Sequence, residues 1–98
     1  MTARRERKVV TLCSVPALPK HVRIQYDPVR RAFAVLSPEN VFWPNEVSLE
    51  ILRRCDGISS AGKIVAELAG EYDASIENVA ADVTCFLQEL SDKRLVIL

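Results

Sequence analysis

The fold is decided by residues 45–92, which read NEVSLEILRRCDGISSAGKIVAELAGEYDASIENVAADVTCFLQELSD. Apolar residues in this stretch recur three and four positions apart in three blocks, a spacing that places them on one face of an α-helix. A Cys-Asp-Gly turn at 55–57 separates the first two blocks, and a Tyr-Asp-Ala-Ser turn at 72–75 separates the last two. The stretch therefore predicts three short helices.

Each block has its own start signal. Asn45 is predicted to cap the first helix and Gly57 to end it, because an amide side chain satisfies the first N–H groups and glycine accepts the left-handed turn that follows a helix. Ser59 or Ser60 is predicted to cap the second helix, and Ser75 the third. The predicted apolar stripes are Val47, Ile51, Leu52 and Cys55, then Ala61, Ile64, Val65, Leu68 and Tyr72, then Ile76, Val79, Val83, Phe86, Leu87 and Leu90.

The residues before the helices read as strands. Residues 22–26 alternate strictly between apolar and polar side chains, residues 32–36 form the returning strand, and residues 41–43 form a short third one. Proline-containing turns at 27–28 and 37–40 join them. Strands followed by three helices in under 100 residues predict an α+β fold of the winged helix-turn-helix type. Residues 95–98 form an apolar tail that could add a last strand.

Length and composition set the domain organisation. A chain of 98 residues with 49% apolar content makes one domain with one modest core. Residues 1–20 carry two prolines, a run of charge and no sustained period, which predicts a flexible basic arm before a domain over residues 21–98. No apolar run approaches the roughly 18–20 residues that span a bilayer, and no secretory cleavage site follows residues 9–15. We expect a cytoplasmic protein without a membrane partner. A monomer is favoured, although no residue fixes the oligomeric state.

Charge is unevenly distributed although its sum is zero. Residues 1–31 hold eight Lys or Arg against two Asp or Glu, giving +6, and residues 32–98 hold five against eleven, giving −6. One interpretation is a solvated basic tail beside an acidic body, and the other is a basic part that attracts an acidic partner.

The residues offer no catalytic or metal-binding set. His21 is the single histidine, and the three cysteines, Cys13, Cys55 and Cys85, are widely spaced without a C-x-x-C pair, which argues against a disulfide framework and a zinc site. Glu50 and Asp56 are interpreted as a solvated helix position and a turn residue. The sequence therefore predicts a protein that is not an enzyme and that has no cofactor or metal.

Nucleic acid is not the expected partner either. Residues 75–92, the helix that a winged helix-turn-helix would lay in the major groove, contain Glu77, Asp82, Glu89 and Asp92 and no Lys or Arg. Phosphates repel such a surface. A DNA-binding or transcription-associated domain is kept as the alternative.

Binding of an extended peptide is better supported. An edge strand offers unpaired N–H and C=O groups that a peptide can join. Alternation sends Val41 and Trp43 to one face of the third strand and Phe42 to the other, so one small sheet face cannot bury all three. Phe42 is expected to contact a partner, while Trp43 either does so or anchors the core. Phe86 and Leu87 point about 100° apart, so that one can fill the core and the other a groove.

Several segments together resemble the PqqD family. They are Val22-Arg-Ile-Gln-Tyr-Asp-Pro-Val-Arg30, Leu36-Ser-Pro-Glu39, Asn45-Glu46, Ile51-Leu-Arg-Arg-Cys-Asp-Gly57 and Asp82-Val-Thr-Cys-Phe-Leu87, and the likeness covers residues 16–97. The family resemblance implies a peptide chaperone without catalysis of its own, which binds the ribosomal precursor PqqA and presents it to the radical SAM enzyme PqqE in pyrroloquinoline quinone biosynthesis.

The resemblance also implies a site. In this family the peptide lies between the third strand and the third helix, so the implied strand wall is Val41, Phe42 and Trp43, and the implied helix wall is Val79, Asp82, Val83 and Phe86. The chain departs from the family pattern at Asn40, where a basic residue is expected, and in the aromatic character of the third strand. A recognition element of another peptide-modifying pathway is the alternative within this class.

Overall fold

The computed structural model describes residues 9–98, and over this range a three-stranded antiparallel sheet is followed by three helices. The strands are β1 (Arg23–Asp27), β2 (Ala32–Leu36) and β3 (Val41–Phe42), and the helices are α1 (Glu46–Arg53), α2 (Ala61–Glu71) and α3 (Ile76–Asp92). The predicted order of elements is confirmed.

The sheet is a meander in which β2 lies between β1 and β3. Tyr26 pairs with Phe33 across β1 and β2, and Val35 pairs with Phe42 across β2 and β3. The first turn is closed by the carboxylate of Asp27, whose Oδ1 accepts hydrogen bonds from the backbone N–H of Val29 at 2.9 Å and of Arg30 at 3.3 Å. Because β3 ends the strand order, it forms an edge of the sheet.

The three helix caps act as predicted. Asn45 Oδ1 accepts a hydrogen bond from Ser48 N at 2.8 Å, and Ser75 Oγ accepts one from Asn78 N at 3.2 Å. Of the two serines proposed for α2, Ser60 is the cap, since its Oγ accepts from Lys63 N at 3.1 Å. Each cap satisfies one N–H group that the helix itself leaves without a partner.

Gly57 has a different role from the predicted one. α1 ends at Arg53 with Arg54 as its C-cap, three residues before the glycine. Gly57 instead has a φ of +76° within the following turn, a conformation that glycine adopts without steric penalty. Its N–H donates to the Pro16 carbonyl at 2.9 Å. The glycine therefore shapes the α1–α2 turn and joins it to the N-terminal segment.

One core is formed between the sheet and the helices. Its most deeply buried large side chains are Val35, Leu52, Ile64, Val65, Leu68, Val83 and Leu87. The predicted stripes supply the helical part of this core, but one end of each stripe is exposed, namely Val47, Tyr72 and Ile76. Leu95 and Val96 of the C-terminal tail are also buried.

An ion-pair cluster joins α1 to α2. The Arg54 guanidinium donates to Glu50 Oε1 at 2.9 Å, to Glu67 Oε1 at 3.1 Å and to a carboxylate oxygen of Glu71. Burial works against the charge of Arg54, yet the hydrogen bond to Glu50 and the carboxylates of Glu71 and Glu67 raise its pKa above the usual value. Glu50 is therefore a partly buried partner of Arg54 and not the solvated residue that the sequence suggested.

The predicted flexible arm is packed from residue 10 onward, while residues 1–8 lie outside the described residues. Val10 is buried in the core, and its N–H donates to Gln88 Oε1 at 2.9 Å. The carbonyls of Leu12 and Ser14 accept hydrogen bonds from Gly62 N at 2.9 Å and Ala61 N at 2.7 Å. Residues 10–17, here called the strap, show no period because their backbone is irregular, and the sequence pattern does not reveal such a structure.

The C-terminal tail pairs with this strap. Ala17 and Ile97 exchange two backbone hydrogen bonds, each of 2.8 Å. The tail thus forms an isolated antiparallel bridge, and within the described residues it does not cover the edge of β3.

Candidate functional site

The free edge of β3 is the first component of the site. In the described part of the chain only β2 pairs with it, and the opposite edge has no strand partner. Val41 is 58% exposed and Trp43 is 41% exposed. A strand with one unpaired edge and exposed apolar side chains can accept another extended segment.

α3 provides a wall facing this edge. The rings of Phe42 and Phe86 lie 6.3 Å apart at their centroids and are tilted by 34°, and both side chains are half-buried against the core. Between them opens a hollow of about 350 Å³, here called the strand–helix groove. It is lined by Asn40, Val41, Phe42, Phe86, Glu89, Leu90, Lys93 and Leu95.

A second hollow lies further toward the N-terminus of α3. Its volume is about 210 Å³, and it is enclosed by α1, α2 and the first turns of α3. This helix hollow is lined by Val47, Ile51, Leu68, Tyr72, Ala74, Val79, Asp82 and Val83. The lining is apolar except for the Tyr72 hydroxyl and the Asp82 carboxylate, so it suits a large apolar side chain.

The seven residues implied by the resemblance thus fall into three places. Val41, Phe42 and Phe86 meet in the strand–helix groove. Three others, Val79, Asp82 and Val83, line the helix hollow, with Val83 almost wholly buried. Trp43 lies on the opposite face of the sheet, where the Arg30 guanidinium sits 4.9 Å from the ring centroid.

Trp43 therefore does not anchor the core, which was one of its two expected roles. Val41 pairs with Leu36, whereas Phe42 pairs with the core residue Val35. The alternation of side chains along a strand then directs Trp43 to the side of Val41 and away from the core. Phe42, expected to contact a partner, divides its surface between the core and the groove.

The groove includes residues that were not predicted. Glu89, Leu90 and Lys93 follow Phe86 at helical spacing, so one further turn of the α3 stripe would have identified them. Leu95 carried no such signal, because it lies beyond the helix. Arg94 has a φ of +61°, which turns the chain back so that Leu95 N donates to the Leu90 carbonyl at 2.8 Å.

Charges along the groove are of both signs. Lys93 Nζ lies 3.2 Å from Glu89 Oε1. Beyond this pair, a hollow of about 340 Å³ adjoins the groove and is lined by His21, Ser37, Pro38, Glu39, Asn40, Lys93, Arg94 and Leu95. The end of the groove near the α3 C-terminus thus carries Lys93 and Arg94 beside the carboxylates of Glu39 and Glu89. Asp82 lies in the separate helix hollow.

Cys55 and Asp56, which lie outside the groove, have structural roles. Burial raises the pKa of the Cys55 thiol to about 12, with the charge of Asp56 adding to the effect, and its Sγ donates to the Ile51 carbonyl. Asp56 Oδ1 accepts from Ser59 N and Ile58 N, both at 2.8 Å, and these N–H groups lower the pKa of the carboxyl. In residues 9–98 no group of three or more His, Cys, Asp or Glu side chains could hold a metal ion.

None of the helices in the described range has both the length and the apolar character needed to cross a bilayer.

Comparison with known proteins agrees with the resemblance. The family model for coenzyme PQQ synthesis protein D (PqqD) matches residues 33–96. A PqqA binding protein of Rhodopseudomonas palustris strain BisB5 is 39% identical over 84 residues, covering 86% of this chain and 82% of that protein. The PqqA binding protein of Rhizobium meliloti strain 1021 is 35% identical over 96 residues, covering 98% and 96%.

Two solved structures are similar as well. The NMR structure of the PqqD truncation of Methylobacterium extorquens PqqCD, described as a functional stand-alone recognition element for ribosomally synthesised and modified peptides, superposes with a TM-score of 0.81 at 30% identity. The match covers 96% of this chain and 100% of that one. The crystal structure of PqqD from Xanthomonas campestris gives a TM-score of 0.58 at 34% identity, covering 92% and 100%. These descriptions concern recognition and not catalysis, as the sequence predicts.

Proposed function

Because the chain belongs to the PqqD family, we propose that it binds the precursor peptide PqqA along the free edge of β3 and presents it to the radical SAM enzyme PqqE. The protein supplies recognition and leaves the chemistry to its partner. The single observation that carries this proposal is the unpaired β3 edge facing the exposed part of α3 across the strand–helix groove.

The dimensions of the site suit a short extended segment. Lys93, the C-cap of α3, is 14 residue steps from Val79, which corresponds to about 21 Å at a helical rise of roughly 1.5 Å per residue. An extended chain advances roughly 3.3 Å per residue, so about six peptide residues lie against α3. Backbone hydrogen bonds to β3 hold the peptide, and the two hollows select its side chains.

Apolar walls matter because the precursor segment has to be ordered on binding. Coupled folding and binding takes a few kcal/mol from the gross interaction energy. Phe42 and Phe86 are already packed against the core and against each other, so the protein side of the groove needs little rearrangement. The candidate contacts are Val41, Phe42 and Phe86 for one hollow and Val79 and Asp82 for the other.

Titration of the isotope-labelled protein with cognate PqqA tests the proposal. We expect the backbone amide signals of residues 40–43 to shift together with those of residues 79–95, and the β3 amides to gain protection from hydrogen exchange. The amides of β1 serve as an internal control, because β2 separates them from the free edge. Shifts confined to β1 or to the exposed side of α2 would contradict the proposed site.

A further inference from the structure

The outer face of the sheet, on the side away from the core, carries a further hollow. Its volume is about 360 Å³, and it is lined by Gln25, Tyr26, Asp27, Pro28, Arg30, Ala34, Leu36, Val41 and Trp43. Trp43 is 41% exposed and Val41 58%. Beside the hollow, Val29 projects from the β1–β2 turn and is 90% exposed. Val29, Val41 and Trp43 are therefore apolar residues that the core does not bury and that lie on or beside this face, which we call the outer sheet face.

The rim of this face is positively charged. The basic residues in or next to β1 and its turn are Lys20, Arg23, Arg30 and Arg31. Asp27 is the single acidic residue between positions 20 and 31. The Asp27 carboxylate is already engaged, since it lies 3.8 Å from Arg30 Nε and accepts two backbone hydrogen bonds. Within the described residues, Arg23 and Arg31 make no ion pair. Arg23 pairs with Leu36 across the sheet, which places its side chain on the outer face.

The outer sheet face is continuous with the peptide site. Val41 lines both the outer hollow and the strand–helix groove, because it lies on the edge strand between them. A peptide paired with β3 would extend the sheet beyond Val41. A partner that contacts the outer face would then reach the bound peptide without displacing it.

From this juxtaposition we infer that the outer sheet face is the docking surface for the enzyme that modifies the bound peptide, through an acidic region of that enzyme surrounding an apolar projection. The inference rests on the proposed function and adds the surface and chemistry of the second partner. Arg23 and Arg31, which make no ion pair within residues 9–98, attract the acidic rim, and the hollow around Trp43 receives the apolar group. The exposed aliphatic side chains of Val29 and Val41 find no complement on a phosphate backbone, so a protein fits this face better than nucleic acid.

A matched pair of charge reversals tests the docking surface. Arg23→Glu alters the rim, and Lys63→Glu makes the same change of charge on the exposed side of α2, far along the chain from the sheet. We expect both variants to bind PqqA as the unaltered protein does. At low salt, Arg23→Glu should weaken binding of cognate PqqE to the PqqA-loaded protein about tenfold and Lys63→Glu should not, since reversing a rim charge replaces attraction by repulsion. The difference should largely vanish near 1 M salt.

The single tryptophan provides a second, spectroscopic probe of the outer sheet face. Protein labelled with 5-fluorotryptophan carries one fluorine signal, that of Trp43. Addition of PqqE to the PqqA-loaded protein should shift this signal further than PqqA alone does.

The possible outcomes separate the two proposals. Equal PqqE affinities for both variants, or an unmoved fluorine signal, would overturn the docking role while leaving PqqA binding intact. Failure of the unaltered protein to bind PqqA would overturn the proposed function and, with it, this role. Binding of duplex DNA that Arg23→Glu abolishes would assign the face to nucleic acid and overturn the inference.

Discussion

Phe86 is the residue at which stability and recognition are most directly joined. Its ring contacts the core on one side and the strand–helix groove on the other, whereas the neighbouring Leu87 is fully buried. Phe86→Ala should weaken PqqA binding by roughly tenfold or more, as truncation of a central aromatic contact commonly does. The loss in unfolding free energy should stay below the roughly 3–5 kcal/mol of a fully buried phenylalanine.

Leu87→Ala is the control for this change. It should lower the unfolding free energy by about 2–5 kcal/mol and leave the affinity of the folded protein unchanged. Urea denaturation and calorimetric titration of both variants provide the two quantities. Retention of full PqqA affinity in Phe86→Ala would exclude this side chain from the site.

Asp56 gives the protein a pH-dependent contribution to stability. The N–H groups of Ser59 and Ile58 hold the pKa of its carboxyl below the usual range. A depressed folded-state pKa means that the stabilisation is present above the unfolded value of about 3.9 and is lost as the pH falls through the folded value. Asp56→Ala should therefore lower Tm at neutral pH, and the difference from the unaltered protein should shrink in acid.

Thermal melts between pH 7 and pH 2 measure this effect. Asp56→Asn keeps an oxygen acceptor for Ser59 and Ile58 but no titrating charge, so its Tm difference isolates the contribution of the ionised carboxylate. A Tm difference for Asp56→Ala that is the same at pH 7 and pH 2 would contradict the role of the charge.

At the level of elements, the N-terminal strap supports the start of α2. Removing residues 1–15 deletes the buried Val10 side chain and the carbonyls that accept from Ala61 and Gly62. A chain beginning at residue 16 should be less stable by about 1–3 kcal/mol than one beginning at residue 9, since burial and two backbone hydrogen bonds are lost. Urea denaturation of the two chains measures the difference, and equal midpoints would show that the strap contributes nothing.

The elements that the sequence revealed are those specified locally. Alternation over residues 22–26 and the turn after them predicted β1 and the returning strand β2. Asn45, Ser60 and Ser75 marked three helix starts, because capping involves residues only a few positions apart. The sequence pattern did not predict the strap, because the residues that it contacts are distant in the sequence. Val10 meets Gln88 across 78 positions, and no local pattern records such a contact.

The site could likewise be predicted only in part. The resemblance identified β3 and α3, and the structure brings Val41, Phe42 and Phe86 together. It could not show that Val79 and Asp82 line a separate hollow, since that depends on how α1 and α2 pack against α3. The resemblance also could not show which face of β3 packs against the core, and that orientation places Trp43 on the outer side of the sheet.

For the whole molecule, the charge distribution predicts no useful affinity for duplex DNA at physiological salt. α3 carries Glu77, Asp82, Glu89 and Asp92 without a Lys or Arg. Non-specific binding to DNA depends almost wholly on cations facing phosphates. A mobility-shift titration of the full chain should therefore show no complex below micromolar protein.

The same titration with a chain beginning at residue 9 separates the contribution of the basic N-terminal residues. Any weak, salt-sensitive retardation by the full chain should disappear in the shorter one. Sub-micromolar binding by the shorter chain would favour the DNA-binding alternative over the peptide adaptor.

The bridge between Ala17 and Ile97 has a consequence for how the chain acquires its structure. The two residues are 80 positions apart, and bringing such distant segments together is entropically costly, with the cost growing as the logarithm of the loop length. Contacts of high sequence separation slow folding, so we expect the meander and the helix pair to form first and the bridge to close last. During synthesis, the bridge between Ala17 and Ile97 cannot form until residue 97 has been added. The newly made domain would pass through a stage in which Leu12, Ser14 and Pro16 can already accept hydrogen bonds from the α1–α2 turn and the start of α2, while Ala17 still lacks its partner Ile97.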